Sequence, residues 1–439
     1  MVRGIIVRLI VMVAVPMSFL NPFAGVLWYL WYSHFRPNDF IWPQYAFTTG
    51  AFLIAGATLA GYAVFEMRRS PIPFRGLTLV VLFYCWIVLS AIFATDHSLA
   101  FWKLLQYTKI LVMTLLVSAM ANSEERIRAM LTVAGLSVGL LGFRAAVEFL
   151  LTGGQFRVAG VGGVELEANE FALALNMAIP MLVGLSYVAN RRVLRYAYRF
   201  LALCCVVAVV GTFSRSGLLG LCLAVLLVAW YSPRRVLALG TLALVALVSL
   251  PLVPERALLR YESIPTAAEL DPSAIARIQT WETALQMIKA HPLLGVGLQN
   301  FQGQYSRYFL DKYKDTPNYR PRAPHNAYIS LAAECGIPAT LLFASFLGSA
   351  IFTMSHLRHD LRDRPSLHTL SQYCLIIQMT LIVYLVPNVF ISRQDQDLMC
   401  DMVGISVGLA ALVRSQLTAS EPESEPAQPE LSPVWENTG

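Results

Sequence analysis

The sequence has 439 residues, of which 56% are hydrophobic and only 14% charged, and its mean hydropathy is +0.58; an ordinary soluble domain is far less apolar. The formal net charge of +6 raises nucleic acid as a partner, but the basic residues stand in short clusters between apolar runs, where they orient membrane helices, and nucleic acid is excluded. Apolar stretches near the ~20 residues that span a bilayer recur without alternating in polarity, which excludes a β-barrel and implies an all-α, polytopic membrane protein.

The first residues, MVRGIIVRLIVMVAVPMSFLNPFAG, start like a signal peptide. The apolar run continues through VLWYLWY and no A-x-A site closes it, so it is expected to stay as a membrane segment. Basic clusters follow at Arg68, Arg69 and Arg75, at Arg126 and Arg128, at Arg191 to Arg199, at Arg234 and Arg235, and at Arg358 to Arg364. If all lie in the cytoplasm, the segments between them cross in pairs: 76 to 94 with 101 to 120, 129 to 151 with 169 to 189, and 196 to 213 with 216 to 231. The run 235 to 253 then leads outward. Segments near 326 to 355, 369 to 390 and 397 to 414 return the chain.

With residues 4 to 34 as one net crossing broken at Asn21-Pro22, and 43 to 66 as the next, this predicts about twelve transmembrane helices and both termini in the cytoplasm. A separate hairpin at 4 to 34 is rejected because it would invert every basic cluster. The predicted organisation is a first part of the bundle over 1–253, a large external loop with amphipathic helices over 254–324, a last part of the bundle over 325–416, and a disordered cytoplasmic tail over 417–439, rich in Glu, Pro and Ser.

On this topology the loops 152 to 168, 213 to 216 and 392 to 397 share the outer face with the large loop. They carry Arg157, Glu165, Glu167, Asn169, Glu170, Arg215, Arg393, Asp395 and Asp397. Within the large loop, Asp271-Pro272 offers a cap and a proline at the first helical position, and His291-Pro292 a stop. Ile278, Trp281, Leu285 and Ile288 recur between them as a predicted apolar face. Arg277 lies one turn before Trp281, either as an arginine snorkelling at the membrane surface or as a functional cation. PLLGVGLQNF, which ends in Asn300 and Phe301, lacks the strand and third glycine of a dinucleotide fingerprint and reads as a turn. A second amphipathic stretch over 301 to 313 carries Phe301, Tyr305, Tyr308 and Phe309.

Arg215 sits in TFSRSG between two apolar runs. A helix N-terminus with an arginine suits phosphate oxygens, although an ordinary polar turn would look the same. His325, with Asn326 and Tyr328, opens an apolar segment on the arginine-rich face and could accept a proton near neutral pH. Arg144 and Glu148 are four apart and are expected to pair on one helix face, while Lys103 and Lys109 remain unassigned. The seven cysteines fall in or beside apolar runs without paired spacing, and no HExxH or DxD-like pair marks a metal. Two arginines and a histidine without a metal motif suit a substrate whose leaving group is already a diphosphate.

TFSRSG (212–217), ARIQTWETALQMIKAHPLLGVGLQNF (276–301) and PHNAYISLAAECGIP (324–338) resemble the signature segments of the O-antigen ligase and polymerase superfamily. FRVAG (156–160) and the Asn169 segment also look like that family's loop before a membrane helix. The resemblance implies a GT-C-type glycosyltransferase of the bacterial inner membrane, taking a glycan from undecaprenyl diphosphate at a periplasmic site, with no cofactor. It places the family's two arginines on Arg215 and Arg277 and its histidine on His325. Arg157, Asn169, Asn300, Asn326 and Tyr328 are the accompanying substrate-binding candidates. Ala339 departs from a glycine common in relatives after the Ile-Pro pair. The superfamily contains lipid A-core ligases, polymerases and protein O-glycosyltransferases, and the shared motifs do not separate them. Extra arginines on the outer face (Arg307, Arg320, Arg322) favour lipid A-core as acceptor, with protein O-glycosylation or glycan polymerisation as alternatives. A lipid-linked sugar transporter, the reading from another class, would show repeated halves and a midplane site.

Overall fold

A computed structural model describes residues 2–41, 49–155, 157–160, 168–232, 235–236, 272–310 and 321–419. No strand occurs among them, and the first part of the chain forms α1 (Val2–Leu20), α2 (Pro22–Phe35), α3 (Gly50–Gly61, continued as a wider turn to Glu66), α4 (Phe74–Ile92), α5 (His97–Met120) and α6 (Glu124–Leu151). After these come α7 (Ala168–Val188), α8 (Arg192–Gly211), α9 (Arg215–Trp230), α10 (Pro272–Ala290), α11 (Phe301–Tyr308), α12 (Ala327–Asp360), α13 (His368–Leu385) and α14 (Asp397–Ala419). Nine helices in this set are long and apolar enough to cross a membrane, and α3 and α9 are shorter apolar helices. The chain is a multi-pass helical membrane protein. Residues 237 to 253 of the predicted span 235 to 253, and the tail beyond 419, lie outside the described residues.

The basic clusters do gather at one end of the bundle. There Arg126 bonds Glu66 at 3.1 Å, Asn122 donates to Ser70, and Arg358 lies over the Tyr231 ring. The N-terminal segment, however, departs from the expected single crossing. The break at Asn21 is present, with the Asn21 side chain capping α2 by accepting from the Ala24 N–H, but α1 and α2 fold back as an antiparallel pair. Gly25 meets Ser18 near the turn, whereas Gly4 meets Ile41 at the far end. The small residues permit that fold-back, since Gly25 also packs against Thr58 of α3 with no room for a side chain. The hairpin therefore starts at the end opposite the basic clusters and inverts nothing. Val2 and Ala419 consequently lie at opposite ends of the bundle, which corrects the expectation of both termini on one side.

Helix α10 begins at Pro272 and stops before His291-Pro292, where the sequence places its breaker; Asp271, the expected cap, lies outside the described residues. Its buried face overlaps the predicted one only in part, through Trp281 and Ile288, which are half-buried. Ile278 and Leu285 are exposed, and the helix packs through Ala276, Thr280, Thr283, Ala284 and Met287. Small Ala and Thr side chains let the backbone approach α12, Met287 and Ile288 reach the apolar cluster with α11, and Ile278 and Leu285 are left outward. Phe301, Tyr305 and Phe309 join Ala284, Met287 and Ala333 in one apolar cluster, which seats α11 on α10 and α12.

Helix α12 is broken at Gly336, which has φ 83° and ψ 170°. Pro338 has no N–H for the Glu334 carbonyl, and the Ile337 N–H turns away to the Pro292 carbonyl at 2.9 Å. The orphaned carbonyls are then satisfied from the PLLGVG turn: Val296 N–H donates to Ala333 O and Gly297 N–H to Glu334 O, both at 2.9 Å. Ser90 Oγ of α4 adds a bond to Glu334 O and Trp86 Nε1 one to Cys335 O. A Cβ on Gly336 would overlap the Leu293 carbonyl. Gly336→Ala is therefore expected to destabilise the fold by on the order of 3 kcal/mol, whereas Gly348→Ala in the same helix, with nothing within 4 Å of its Cβ position, should be neutral or slightly stabilising. Thermal unfolding of the detergent-solubilised protein checks both; equal melting temperatures would contradict the docked turn.

Candidate functional site

The end of the bundle opposite the basic clusters brings together the turn before α9, the lead-in to α7, the start of α12 and the loop 390–396. Ser214 caps α9 by accepting from the Gly217 N–H at 3.0 Å, a bond of a type that typically contributes ~1 kcal/mol. Asn169 fixes that cap, its Oδ1 accepting from Ser214 Oγ at 2.6 Å. Arg157 Nε donates to the Thr212 carbonyl at 3.1 Å, and the Val158 N–H donates to Gly211 O. Arg157 and Asn169 therefore brace the turn that presents Arg215, which is half-buried as the first residue of α9. Glu165 and Glu167 lie outside the described residues.

The lead-in to α12 is held as firmly. Asn326 is buried and caps α12, its Oδ1 accepting from the N–H groups of Tyr328 and Ile329. Its own N–H donates to Ser392 Oγ. His325, immediately before this cap, has φ 48°, a left-handed conformation uncommon outside glycine and concentrated at functional sites. Trp281 Nε1 of α10 donates to the Pro324 carbonyl at 2.7 Å. That bond ties the residue one turn after Arg277 to the residue just before His325.

Three sequence-predicted residues have structural partners at their polar atoms. The Tyr328 hydroxyl donates to the Leu385 carbonyl of α13. Asn300, 1% exposed, accepts from the Asp96 N–H and donates to the Asp96 and Leu298 carbonyls. The Asn326 carboxamide oxygen is occupied by the cap just described. These side chains hold backbone in place.

The sequence did not assign the ion ladder between these loops. Lys103 of α5 bonds Asp395 at 2.6 Å, and Arg393 bonds Glu170, next to Asn169, at 2.9 Å. Against the burial that would raise it, Lys103 and Arg393 hold the Asp395 carboxyl well below the usual carboxylate range. Arg393 titrates above its ordinary value despite burial, because Asp395 and Glu170 favour its charge. Glu334 is buried beneath the ladder, its Oε2 accepting from the Gln299 N–H. Lys103 and Glu334 were the missed residues; a lysine in an apolar span and a lone carboxylate inside PHNAYISLAAECGIP were the signals. The expected Arg144–Glu148 pair forms at 3.9 Å, both side chains partly exposed.

A polar cavity of ≈ 230 Å³ opens among these groups, between Lys103, Glu170, Gln302, Pro324, Glu334 and Gln394. Among the described residues, no three or more His, Cys, Asp or Glu side chains gather where they could hold a metal ion.

A model of a family described as O-antigen ligase matches residues 200–344. A model of a family of unknown function (DUF5935) matches residues 2–186. No curated protein matches the chain.

Removing Lys103 would leave Asp395 buried beside fewer cations. Lys103→Met is expected to cost about 3–5 kcal/mol near neutral pH, and Lys103→Met with Asp395→Leu to recover much of it. Because the folded Asp395 carboxyl ionises below the ~3.9 of an unfolded aspartate, its contribution is complete above that value and fades as pH falls through the folded one. The gap between wild type and Lys103→Met should therefore narrow in acid. Melting curves between pH 7 and the acid limit check this, and a gap that widened on acidification would contradict the pairing.

Proposed function

We propose, from the premise that the chain belongs to the O-antigen ligase family through residues 200–344, that it is an O-antigen ligase transferring a glycan from undecaprenyl diphosphate to a hydroxyl of lipid A-core oligosaccharide. The observation that carries this reading is the convergence of the Arg215 turn, the Arg277 helix and the His325 lead-in on one end of a membrane bundle. The Ser214–Asn169 bond, the Glu170–Arg393 pair, the Asn326–Ser392 bond and the Trp281–Pro324 bond link them into one continuous set of contacts. The positive-inside rule puts the basic clusters in the cytoplasm and this end in the periplasm, where both lipid-linked substrates would present their sugars.

In the mechanism, His325 takes the proton of the acceptor hydroxyl as its oxygen attacks the anomeric carbon of the donor. The bond from that carbon to the diphosphate oxygen breaks, and the electron pair leaves on the diphosphate. Arg215 and Arg277 neutralise the charge that develops there, the guanidinium fork matching two phosphate oxygens. Arg215 also stands at a helix N-terminus, whose N–H groups and dipole favour the same anion. No metal ion is required for these steps. A single displacement inverts the anomeric configuration.

The test is transfer by purified protein in the presence of EDTA, with undecaprenyl-diphosphate-linked glycan and lipid A-core. Arg215→Ala, Arg277→Ala and His325→Ala are each expected to lower the rate by ~10²-fold or more, with the product linkage inverted relative to the donor. Transfer only to protein or to a growing glycan would move the chain to another branch of the superfamily. No transfer to any acceptor, or loss on chelation that metal restores, would overturn the mechanism.

A further inference from the structure

The cavity beside His325 has a composition unlike that of a diphosphate site. Its cations, Lys103 and Arg393, are each bonded to a carboxylate, Asp395 and Glu170. With Glu334 added, two cations face three carboxyl groups, so an anion entering would meet no net attraction. The remaining polar wall among the described residues is made of carboxamides and two hydroxyls: Gln299, Gln302, Gln394, Ser330 and Ser392. Gln394 is only 6% exposed, and its Oε1 has no hydrogen-bond partner among the described residues. A buried amide acceptor left without a partner is costly unless a ligand or water completes it. The volume of ≈ 230 Å³ lies below the ~300–1,000 Å³ of drug-sized ligand sites and suits one sugar ring.

From this arrangement we infer that the cavity is a binding subsite for a single uncharged, polyhydroxylated sugar, the ring of the acceptor that carries the attacking hydroxyl. The inference rests on the glycosyl-transfer reading given above. The acceptor rather than the donor ring belongs here because the wall includes Ala323 and Pro324, immediately before the histidine, and Ser392, bonded to the Asn326 N–H just after it, so that His325 stands next to the wall, whereas neither Arg215 nor Arg277 has such a neighbour in it. Paired carboxylates and carboxamides offer the alternating acceptors and donors that ring hydroxyls need. The wall also crosses both matched segments: Lys103 and Glu170 come from residues 2–186, and Gln302 and Glu334 from residues 200–344. Choice of acceptor is thereby assigned in part to the segment whose family has no known function.

The experiment measures binding and transfer separately on the full-length, detergent-purified protein. Binding is read by saturation-transfer NMR and calorimetry with a neutral probe, maltotriose, and an acidic one, trigalacturonate. Maltotriose is expected to bind and trigalacturonate not to. Gln394→Leu and the cavity-filling Gln302→Trp should weaken maltotriose about tenfold and raise the KM for a neutral-sugar acceptor by a similar factor, as loss of one or two buried hydrogen bonds would. The KM for the lipid-linked donor should move less than twofold. Preference for the acidic probe, or maltotriose binding and acceptor KM that ignore both substitutions, would overturn the subsite while leaving glycosyl transfer intact. Wild-type protein that binds maltotriose as described but transfers no glycan would instead sink the transfer reading, and with it the assignment of this ring as an acceptor.

Discussion

The break in α12 at Gly336 is the constraint around which the site is arranged. Inside a membrane protein a carbonyl without a partner costs several kcal/mol, and the Gly336–Ile337–Pro338 sequence frees a run of them. The chain answers with backbone from elsewhere, inserting the PLLGVG turn so that Val296 and Gly297 supply the missing N–H groups. Asn300 then anchors the end of that turn to the α4–α5 connection through Asp96. In consequence α10, which precedes the turn, and α11, which follows it, have fixed positions over the start of α12. The loop containing Arg277 is thus an extension of a membrane helix's own hydrogen bonding.

The same break explains the place of Glu334. Its backbone carbonyl is taken by Gly297 and Ser90, while its side chain accepts from Gln299. One residue therefore joins the broken helix, the docked turn and the polar cavity. Above it, the ladder from Lys103 through Asp395 and Arg393 to Glu170 ties α5 and α7 to the loop between α13 and α14. Each ion is held by an opposite one, and these pairs serve as scaffold for the cavity and for the two turns on either side of it.

Much of this was legible in the sequence, for reasons that differ by residue. The basic clusters fixed which loops share a face, because that rule depends on charge alone. Pro272 and His291-Pro292 bounded α10 because the constraints of proline act locally. TFSRSG announced a capped helix start, and the serine and glycine do what those residues do at any N-terminus. The buried face of α10 was legible only in part: hydrophobic periodicity selects Ile278 and Leu285 along with Trp281 and Ile288, but close approach to α12 selects Ala276, Thr280 and Ala284. The hairpin of α1 and α2 was weighed in the sequence and set aside, because with a cytoplasmic start it would invert every basic cluster; the charge rule does not fix the side on which the first helix begins, and Gly25 and Ser18 announce a close helix pair only once the partner is known. Asn326, Asn300 and Tyr328 look like substrate contacts in one dimension because a polar residue near a lip can serve either ligand or backbone. Only the partners decide.

The site is also built across a sequence boundary. The turn carrying Arg215 belongs to residues 200–344, yet its cap is set by Asn169 and its backbone by Arg157, both from residues 2–186. Asp395 and Arg393, which complete the ladder, lie beyond both segments. Neither matched segment contains a whole cavity, and substitutions in the first would reach the arginine turn through hydrogen bonds of 2.6 and 3.1 Å. Two consequences follow for how such a chain can vary. Residues that brace backbone, such as Asn169 and Asn300, have little freedom, because the groups they satisfy are fixed by the fold. The cavity wall at Gln302 and Gln394 can change without disturbing any cap, turn or helix break, and that is where a protein of this architecture has room to alter what it accepts.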